Sequence, residues 1–68
     1  LDVAVGYYQR ALAMNPDFVR AREYLGEGYA SAGQIDQARL QLAEIEKRCG
    51  VTCDEYKDLA KAIAAASN

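Results

Sequence analysis

Residues of matching size recur along this chain at an offset of about 34 positions. At this offset, small residues are equivalent to small ones and large apolar residues to large apolar ones. The equivalent pairs are Ala4 and Ala38, Tyr8 and Leu42, Leu25 and Leu59, Gly26 and Ala60, and Tyr29 and Ile63. A unit of this length cannot bury its own apolar stripe, so such units are stable only when they stack on their neighbours. The recurrence therefore predicts stacked pairs of helices.

Apolar residues at helical spacing predict four helices, at about 1–14, 17–32, 35–48 and 52–66. Asn15 and Pro16 separate the first two, and Asn15 is expected to cap the second. Gly33 is expected to end the second helix, and Thr52 with Glu55 is expected to form a capping box at the start of the fourth. Short connections between such helices give successive antiparallel hairpins, so the predicted fold class is all-α.

The composition restricts the classes of function. The 68 residues make at most one small domain. A net charge of −2, with 8 scattered Lys and Arg, gives no attraction to a phosphate backbone, so nucleic acid is not expected as a partner. No apolar run approaches the roughly 20 residues that a membrane span needs. Histidine is absent, which removes the commonest general base and the mixed Cys/His zinc sites, so we expect no enzyme and no cofactor.

The order Leu25-Gly26-x-x-Tyr29, followed by Ala38, resembles the tetratricopeptide repeat, and residues 19–52 carry one full copy. The departures from the family pattern are Arg22 at the Trp position, Leu42 at the second aromatic position and Gly50 at the Pro position. The resemblance implies a right-handed superhelix of helix hairpins. It also implies a scaffold for protein–protein interaction in which exposed side chains supply the specificity.

We expect the chain to be a fragment of a longer array. In this interpretation residues 1–16 are the second helix of a preceding repeat, residues 17–50 are one full repeat, and residues 51–68 are the first helix of a following repeat or a capping helix. The tail from Cys49 through Cys53 to Tyr56 also resembles the C-terminal end of uncharacterised bacterial tetratricopeptide proteins. This second resemblance implies a chain end near Asn68 and an exported protein, for instance a periplasmic one.

In tetratricopeptide arrays the first helix of each pair lines the concave face, and the family's binding positions fall on two sets of residues in this chain. They are Arg20, Glu23, Tyr24, Glu27 and Ser31 in one repeat, and Asp54, Lys57, Asp58, Lys61 and Ala65 in the next. Family members that clamp a C-terminal carboxylate use Lys, Asn and Arg where this chain has Glu23, Glu27 and Asp58, so we expect no carboxylate clamp. Like-charged pairs four residues apart favour a protein or peptide ligand rich in Lys, Arg or amide groups. The alternative is an ordinary solvated surface, partly neutralised by Lys57 and Lys61.

Cys49 and Cys53 flank the connection between the third and fourth helices, and three uses compete. A disulfide would staple the turn and contribute about 2 kcal/mol in the chain-entropy model. A reactive thiol at Cys53 would benefit from the helix N-terminus, which supports an alternative function as a thiol redox or oxidative-sensing module. The third use is a pair of reduced cysteines that act as small buried apolar residues. Two sulfurs do not complete a tetrahedral site, so we expect no metal.

Two further expectations concern packing. Gly26 in a helix interior costs about 1 kcal/mol relative to Ala, which suggests that a neighbouring helix comes very close, with Ala38 as its counterpart; the alternative is a tolerated glycine. The first helix lacks the upstream mate that a stacked repeat requires. We therefore expect part of its apolar stripe, including Tyr7 or Tyr8, to be exposed and to support self-association or docking of the missing helix.

Overall fold

The computed structural model describes residues 2–67, which form four α-helices. They are α1 (Asp2–Met14), α2 (Val19–Ser31), α3 (Ile35–Cys49) and α4 (Asp54–Ser67). No strand occurs among the described residues, and the predicted all-α class with four helices is confirmed. Leu1, which the sequence places in the first apolar stripe, and Asn68, the predicted chain end, lie outside the described residues. Within residues 2–67, no helix combines the length and the apolar character needed to cross a membrane.

α2 begins at Val19, two residues later than predicted, because Asn15 closes the preceding turn. Its side-chain oxygen accepts a hydrogen bond from the backbone N–H of Asp17 at 3.3 Å, and its carbonyl accepts one from the N–H of Phe18 at 3.1 Å. Phe18 is then the N-cap residue, without a side-chain hydrogen bond. The prediction that Asn15 caps α2 is therefore wrong, since both of its oxygens serve the turn that leaves α1.

α4 also begins later than predicted. Its first helical hydrogen bond runs from the N–H of Lys57 to the carbonyl of Cys53 at 3.1 Å, which makes Cys53 the N-cap residue. Thr52 is exposed and precedes the cap, so the predicted capping box with Glu55 is wrong. Asp54 and Glu55 instead occupy the first turn, where carboxylates interact favourably with the helix dipole.

Gly33 ends α2 as the sequence indicates. Its φ of 81° lies in the left-handed region that glycine tolerates. The N–H of Gly33 donates to the carbonyl of Ala30 at 3.1 Å, and the N–H of Gln34 donates to the carbonyl of Tyr29 at 2.8 Å. This pair of bonds is a Schellman motif, which satisfies the last carbonyls of the helix and directs the chain into α3.

α2 is the central helix of the fold, because it packs on α1, on α3 and on α4. α3 also packs on α4, whereas α1 packs on α2 alone among the described helices. The buried core joins α2, α3 and α4, and consists of Ala30, Ala38, Ile45, Leu59 and Ile63. Half-buried apolar residues surround it: Tyr29, Ile35, Leu42, Cys49, Cys53 and Tyr56. Most of the residues that recur along the sequence thus face the contacts between helices.

Gly26 lies where α2 and α4 come closest. A Cβ atom at this position would stand 2.5 Å from Cδ2 and 2.8 Å from Cδ1 of Leu59, a side chain with no exposed surface. Because the core encloses Leu59, its methyl groups have no free space into which to move. The predicted close approach is confirmed, but its counterpart is Leu59 of α4 rather than Ala38 of α3.

Candidate interaction surface

α2 and α4 pack side by side and carry both sets of residues that the sequence assigned to partner binding. We call this the α2–α4 surface. Most of these residues are exposed: Arg20, Tyr24, Ser31, Asp54, Lys57, Asp58, Lys61 and Ala65. Glu27 is half-buried, and Glu23 is buried, with only 8% of its surface exposed. The assigned residues therefore differ widely in their access to solvent.

Glu23 is the one buried charged residue among those described. Burial raises the pKa of its carboxyl to about 7; a hydrogen bond with the Glu27 side chain and repulsion from Glu27, Asp58 and Glu55 raise it further in the same direction. A protonated Glu23 can donate that hydrogen bond to the Glu27 carboxylate. We call Glu23, Glu27, Glu55 and Asp58 the acidic cluster.

The acidic cluster has little compensation from within the chain. Among the described residues, its one ion pair joins Arg20 and Glu55 at 3.9 Å, and the Arg20 side chain is 64% exposed. An exposed pair of this kind contributes little free energy. Lys57 and Lys61, which the sequence offered as partial compensation, form no ion pair within the described part of the chain. The cluster therefore retains an excess of negative charge.

Glu55 is the member of the acidic cluster that sequence reasoning missed. The sequence assigned it to a capping box, whereas the structure places it opposite Arg20 and close enough to Glu23 to raise the pKa of that carboxyl. The sequence does hold a signal for this placement. Glu55 lies three residues before Asp58, and residues at i and i+3 share a helix face, so both carboxylates belong to the same side of α4.

An open groove of about 440 Å³ lies between the C-terminal parts of α2 and α4. Its lining residues are almost all small: Glu27, Ala30, Ser31, Gly33, Ala62, Ala65 and Ala66. Three residues that the sequence assigned to partner binding, Glu27, Ser31 and Ala65, therefore meet here. Small side chains leave room for a bound chain, and Glu27 adds a negative charge to one wall.

Arg20, which pairs with Glu55 of α4, and Tyr24 also lie close to α1. They line a pocket of about 240 Å³ together with Tyr7, Tyr8, Ala11, Phe18 and Ala21. The rings of Tyr8 and Tyr24 are 5.8 Å apart, and those of Tyr7 and Tyr8 meet edge to face at 5.3 Å. Two of the predicted binding residues thus line this aromatic pocket and three line the groove beside α4, while the other five line neither.

A second group of charges joins α3 to the turn between α1 and α2. Arg48 donates from Nε to Asp17 at 2.9 Å and from Nη1 to Glu44, reaching the side chain at 2.7 Å and the backbone carbonyl at 3.0 Å. The hydrogen bond from Arg48 holds the pKa of Glu44 below its ordinary value, with a further contribution from Lys47. We call Asp17, Glu44 and Arg48 the Arg48 network.

Arg22, the residue at the family's Trp position, supports the same corner. It donates to the carbonyl of Pro16 at 3.1 Å and to the side chain of Gln41 at 3.2 Å. Burial and the nearby Arg48 lower the pKa of the Arg22 guanidinium, while Glu44 and Asp17 oppose that change. Arg22 therefore replaces the contacts of a large ring with hydrogen bonds between the turn and α3.

Cys49 and Cys53 form a disulfide, with their Cα atoms 6.0 Å apart. The bond joins the last residue of α3 to the N-cap of α4 and closes the corner where Gly50 adopts a φ of 78°. Glu55 lies within reach of both sulfurs, but sulfurs joined to each other are not the thiolates that a metal ion requires. The bond fits two of the three uses that the sequence offered, a structural staple and a redox pair, but not the pair of reduced cysteines.

A family model described as tetratricopeptide repeat matches residues 1–63 of the chain. No curated protein and no solved structure matches it. The match covers α1, α2 and α3 and most of α4, and the four packed helices agree with it. Repeats of this kind mediate protein–protein interaction, typically as scaffolds without catalytic activity. The chain belongs to the tetratricopeptide repeat family.

Proposed function

We propose that this chain is a scaffold whose α2–α4 surface binds a protein or peptide segment carrying Lys or Arg. The observation that carries the proposal is the state of Glu23. Its carboxyl is buried beside three other carboxyl groups and has a pKa raised to about 7. Such an arrangement costs stability whenever Glu23 is ionised, and the described residues supply one exposed ion pair as compensation.

A cationic side chain from a partner would change this balance. An ammonium or guanidinium group beside the acidic cluster would favour the ionised form of Glu23 and form charge-assisted hydrogen bonds with Glu27 and Asp58. An acidic or carboxylate-terminated ligand would add repulsion instead. The charge of the cluster therefore selects a basic ligand and argues against a carboxylate clamp.

The groove between α2 and α4 supports a peptide rather than an isolated cation as the ligand. Its small lining residues leave room for backbone beside Ser31 and Ala65, and Glu27 stands between this groove and the rest of the acidic cluster. An extended segment lying in the groove would bring a basic side chain toward Glu27 and Glu23.

The experiment is an NMR titration of the chain with two matched peptides, one that alternates Lys with Ser and one that alternates Glu with Ser. We expect the Lys peptide to shift the backbone amides of Glu23, Glu27 and Ser31 in α2 and of Asp58 in α4. The Glu peptide is expected to leave them unchanged. Equal shifts with both peptides, or shifts limited to the outer surface of α3 around Leu40, would contradict the proposal.

Two variants with the same change in net charge make the test specific. Glu23→Gln removes a charge from the acidic cluster, whereas Glu46→Gln removes one from an exposed position on α3. We expect Glu23→Gln to weaken binding of the Lys peptide about tenfold, as loss of a charge-assisted hydrogen bond implies. Glu46→Gln should change it little, and equal weakening by both would indicate nonspecific attraction by net charge.

The Cys49–Cys53 disulfide supports a second candidate, thiol–disulfide exchange. In that reaction two glutathione thiols would reduce the bond and leave as oxidised glutathione. Equilibration over a range of glutathione ratios, followed by alkylation and intact mass, tests it. Two alkyl groups taken up at ratios typical of the cytosol would support a redox function; a bond that persists at all ratios would support the staple.

A further inference from the structure

The four helices alternate between two kinds of position in the repeat. At the offset of about 34 residues, α3 is equivalent to α1, and α4 is equivalent to α2. The chain therefore contains one complete helix pair, α2 with α3. α1 precedes that pair and α4 follows it. By the pattern of the repeat, α1 would pair with a helix of the α2 kind, and α4 with a helix of the α3 kind. α4 has no helix of the α3 kind following it, and α1 has none of the α2 kind preceding it, among the described residues.

Two alanines that are buried in the complete pair have exposed equivalents in α1 and α4. Ala30 of α2 and Ala38 of α3 belong to one core cluster and are 3% and 0% exposed. Their equivalents at the same offset are Ala64 of α4 and Ala4 of α1, and both are exposed. The chain thus repeats both of these positions at its ends, where they are exposed instead of buried.

Two hydrogen-bonded polar pairs also have equivalents at the ends of the chain, and these equivalents are apolar or aromatic. Arg22 of α2 donates a hydrogen bond to Gln41 of α3, and Arg48 of α3 donates one to Asp17 in the turn before α2. The equivalents of these pairs are Tyr56 with Tyr7, and Val51 with Met14. Both members of each polar pair become apolar, although the two members lie on opposite ends of the chain.

Three of these four replacements are exposed in a single chain, whereas the fourth, Tyr56, packs against the core. Tyr7 is 62%, Met14 88% and Val51 50% exposed, and Tyr56 is half-buried. Exposed apolar residues at paired positions are complementary to each other only if α4 and α1 meet. Because both sides of the contact are present in every copy, a second copy of this chain can supply what the first one lacks.

We propose that copies of this chain associate head to tail, with α4 of one copy packed on α1 of the next in the arrangement that α2 and α3 have within a chain. Ala64 of one copy then faces Ala4 of the next, flanked by Tyr56 with Tyr7 and by Val51 with Met14. The contact continues the α2–α3 interface already present in each chain. It joins two different surfaces, so further copies can add at both ends. It leaves the acidic cluster free and does not depend on the proposed peptide binding.

Sedimentation velocity over a concentration series tests the proposal, with far-UV circular dichroism to verify folding. We expect the average mass to rise severalfold with concentration for the unmodified chain. Ala4→Arg and Ala64→Arg should each leave a folded monomer, because both positions are exposed in the single chain. Ala43→Arg, at an exposed position of α3 outside the contact, is the matched control and should associate as the unmodified chain does.

Mixing the two interface variants identifies the geometry of the contact. The Ala4→Arg variant keeps an intact α4 surface, and the Ala64→Arg variant keeps an intact α1 surface. An equimolar mixture should therefore form a one-to-one dimer that grows no further. Association that Ala4→Arg abolishes and Ala64→Arg leaves intact would mean that α1 pairs with α1, and would overturn the proposal. A monomeric unmodified chain would also overturn it and would leave the α1 surface to a flanking helix of a longer chain.

Discussion

α2 lies between two groups of charges that are built in opposite ways. On the side of α3 and the turn, the Arg48 network combines two carboxylates with a guanidinium at hydrogen-bond distance. On the side of α4, the acidic cluster places Glu23 among carboxyl groups of the same sign, and burial adds to the cost. In the first group each carboxylate is paired with a guanidinium within the chain, and the group fixes a corner of the fold. The second is left for a proton or an external cation to neutralise.

The two groups make opposite contributions to stability as a function of pH. The pKa of Glu44 is lowered in the folded chain, so its contribution is present above its ordinary pKa of 4.5 and is lost as the pH falls through the lowered value. The pKa of Glu23 is raised from 4.5 to about 7, so its contribution is present below 4.5 and is lost as the pH rises through about 7. Acid therefore weakens one side of α2, and neutral to basic pH weakens the other.

The largest expected effect comes from separating α2 from α4 with Gly26→Leu. The new side chain would overlap the enclosed Leu59, so we expect a loss of about 3 kcal/mol in the free energy of unfolding. Urea denaturation measures it. Gly6→Leu is the matched control, because a Cβ atom there meets nothing within 4 Å, and the equivalent residue Leu40 is largely exposed. Helix propensity predicts a gain of up to about 1 kcal/mol for the control. Similar losses for both variants would show that α2 and α4 are not in close contact.

An intermediate effect is expected from Glu23→Gln, which sharpens the comparison by removing the titrating group. A buried amide can donate to Glu27 as the protonated carboxyl does, without the cost of ionisation. We expect the variant to be more stable than the unmodified chain by roughly 1–3 kcal/mol at about pH 8 and equally stable below about pH 4.5.

Thermal unfolding at a series of pH values measures this difference, with Glu46→Gln as the control for net charge. Stabilisation by the same amount at every pH would mean that Glu23 does not titrate in this range. Equal stabilisation by the control would assign the effect to overall charge rather than to the acidic cluster.

The smallest effect is expected from Arg48→Met, which breaks the Arg48 network. Without the guanidinium, the pKa of Glu44 should rise toward its ordinary value, and the chain should lose a modest amount of stability above that pH. NMR titration of the Glu44 carboxyl measures the first change. Arg39→Met, at an exposed position of the same helix, should alter neither quantity. An unchanged Glu44 titration in Arg48→Met would show that the network is not formed in solution.

The helical content and the packing order were predictable because they depend on residue spacing and on local signals. Gly33 ended α2 as predicted, because a glycine that follows an apolar helical stripe commonly adopts the left-handed conformation that ends a helix. The starts of α2 and α4 were placed too early, because Asn15 and Thr52 can each serve either a turn or a helix cap, and only the competing backbone hydrogen bonds decide between the two.

The sequence predicted the charge of the candidate surface but not which of its residues are buried. The sequence shows that Glu23 and Glu27 share a helix face, but the burial of Glu23 depends on how close α4 comes. That distance is set by the fit of Leu59 against Gly26, a contact between residues more than thirty positions apart. Glu55 was misassigned for a related reason, since its partner Arg20 belongs to a different helix.

A carboxyl group with a pKa of about 7 is half protonated in neutral solution, and this has a thermodynamic consequence for any complex formed at Glu23. A positive charge seated beside it would displace that hydrogen ion, so complex formation would acidify the medium. The heat measured by calorimetry would then depend on the ionisation enthalpy of the buffer that takes up the hydrogen ion. Measurements in two buffers would give the number released per complex.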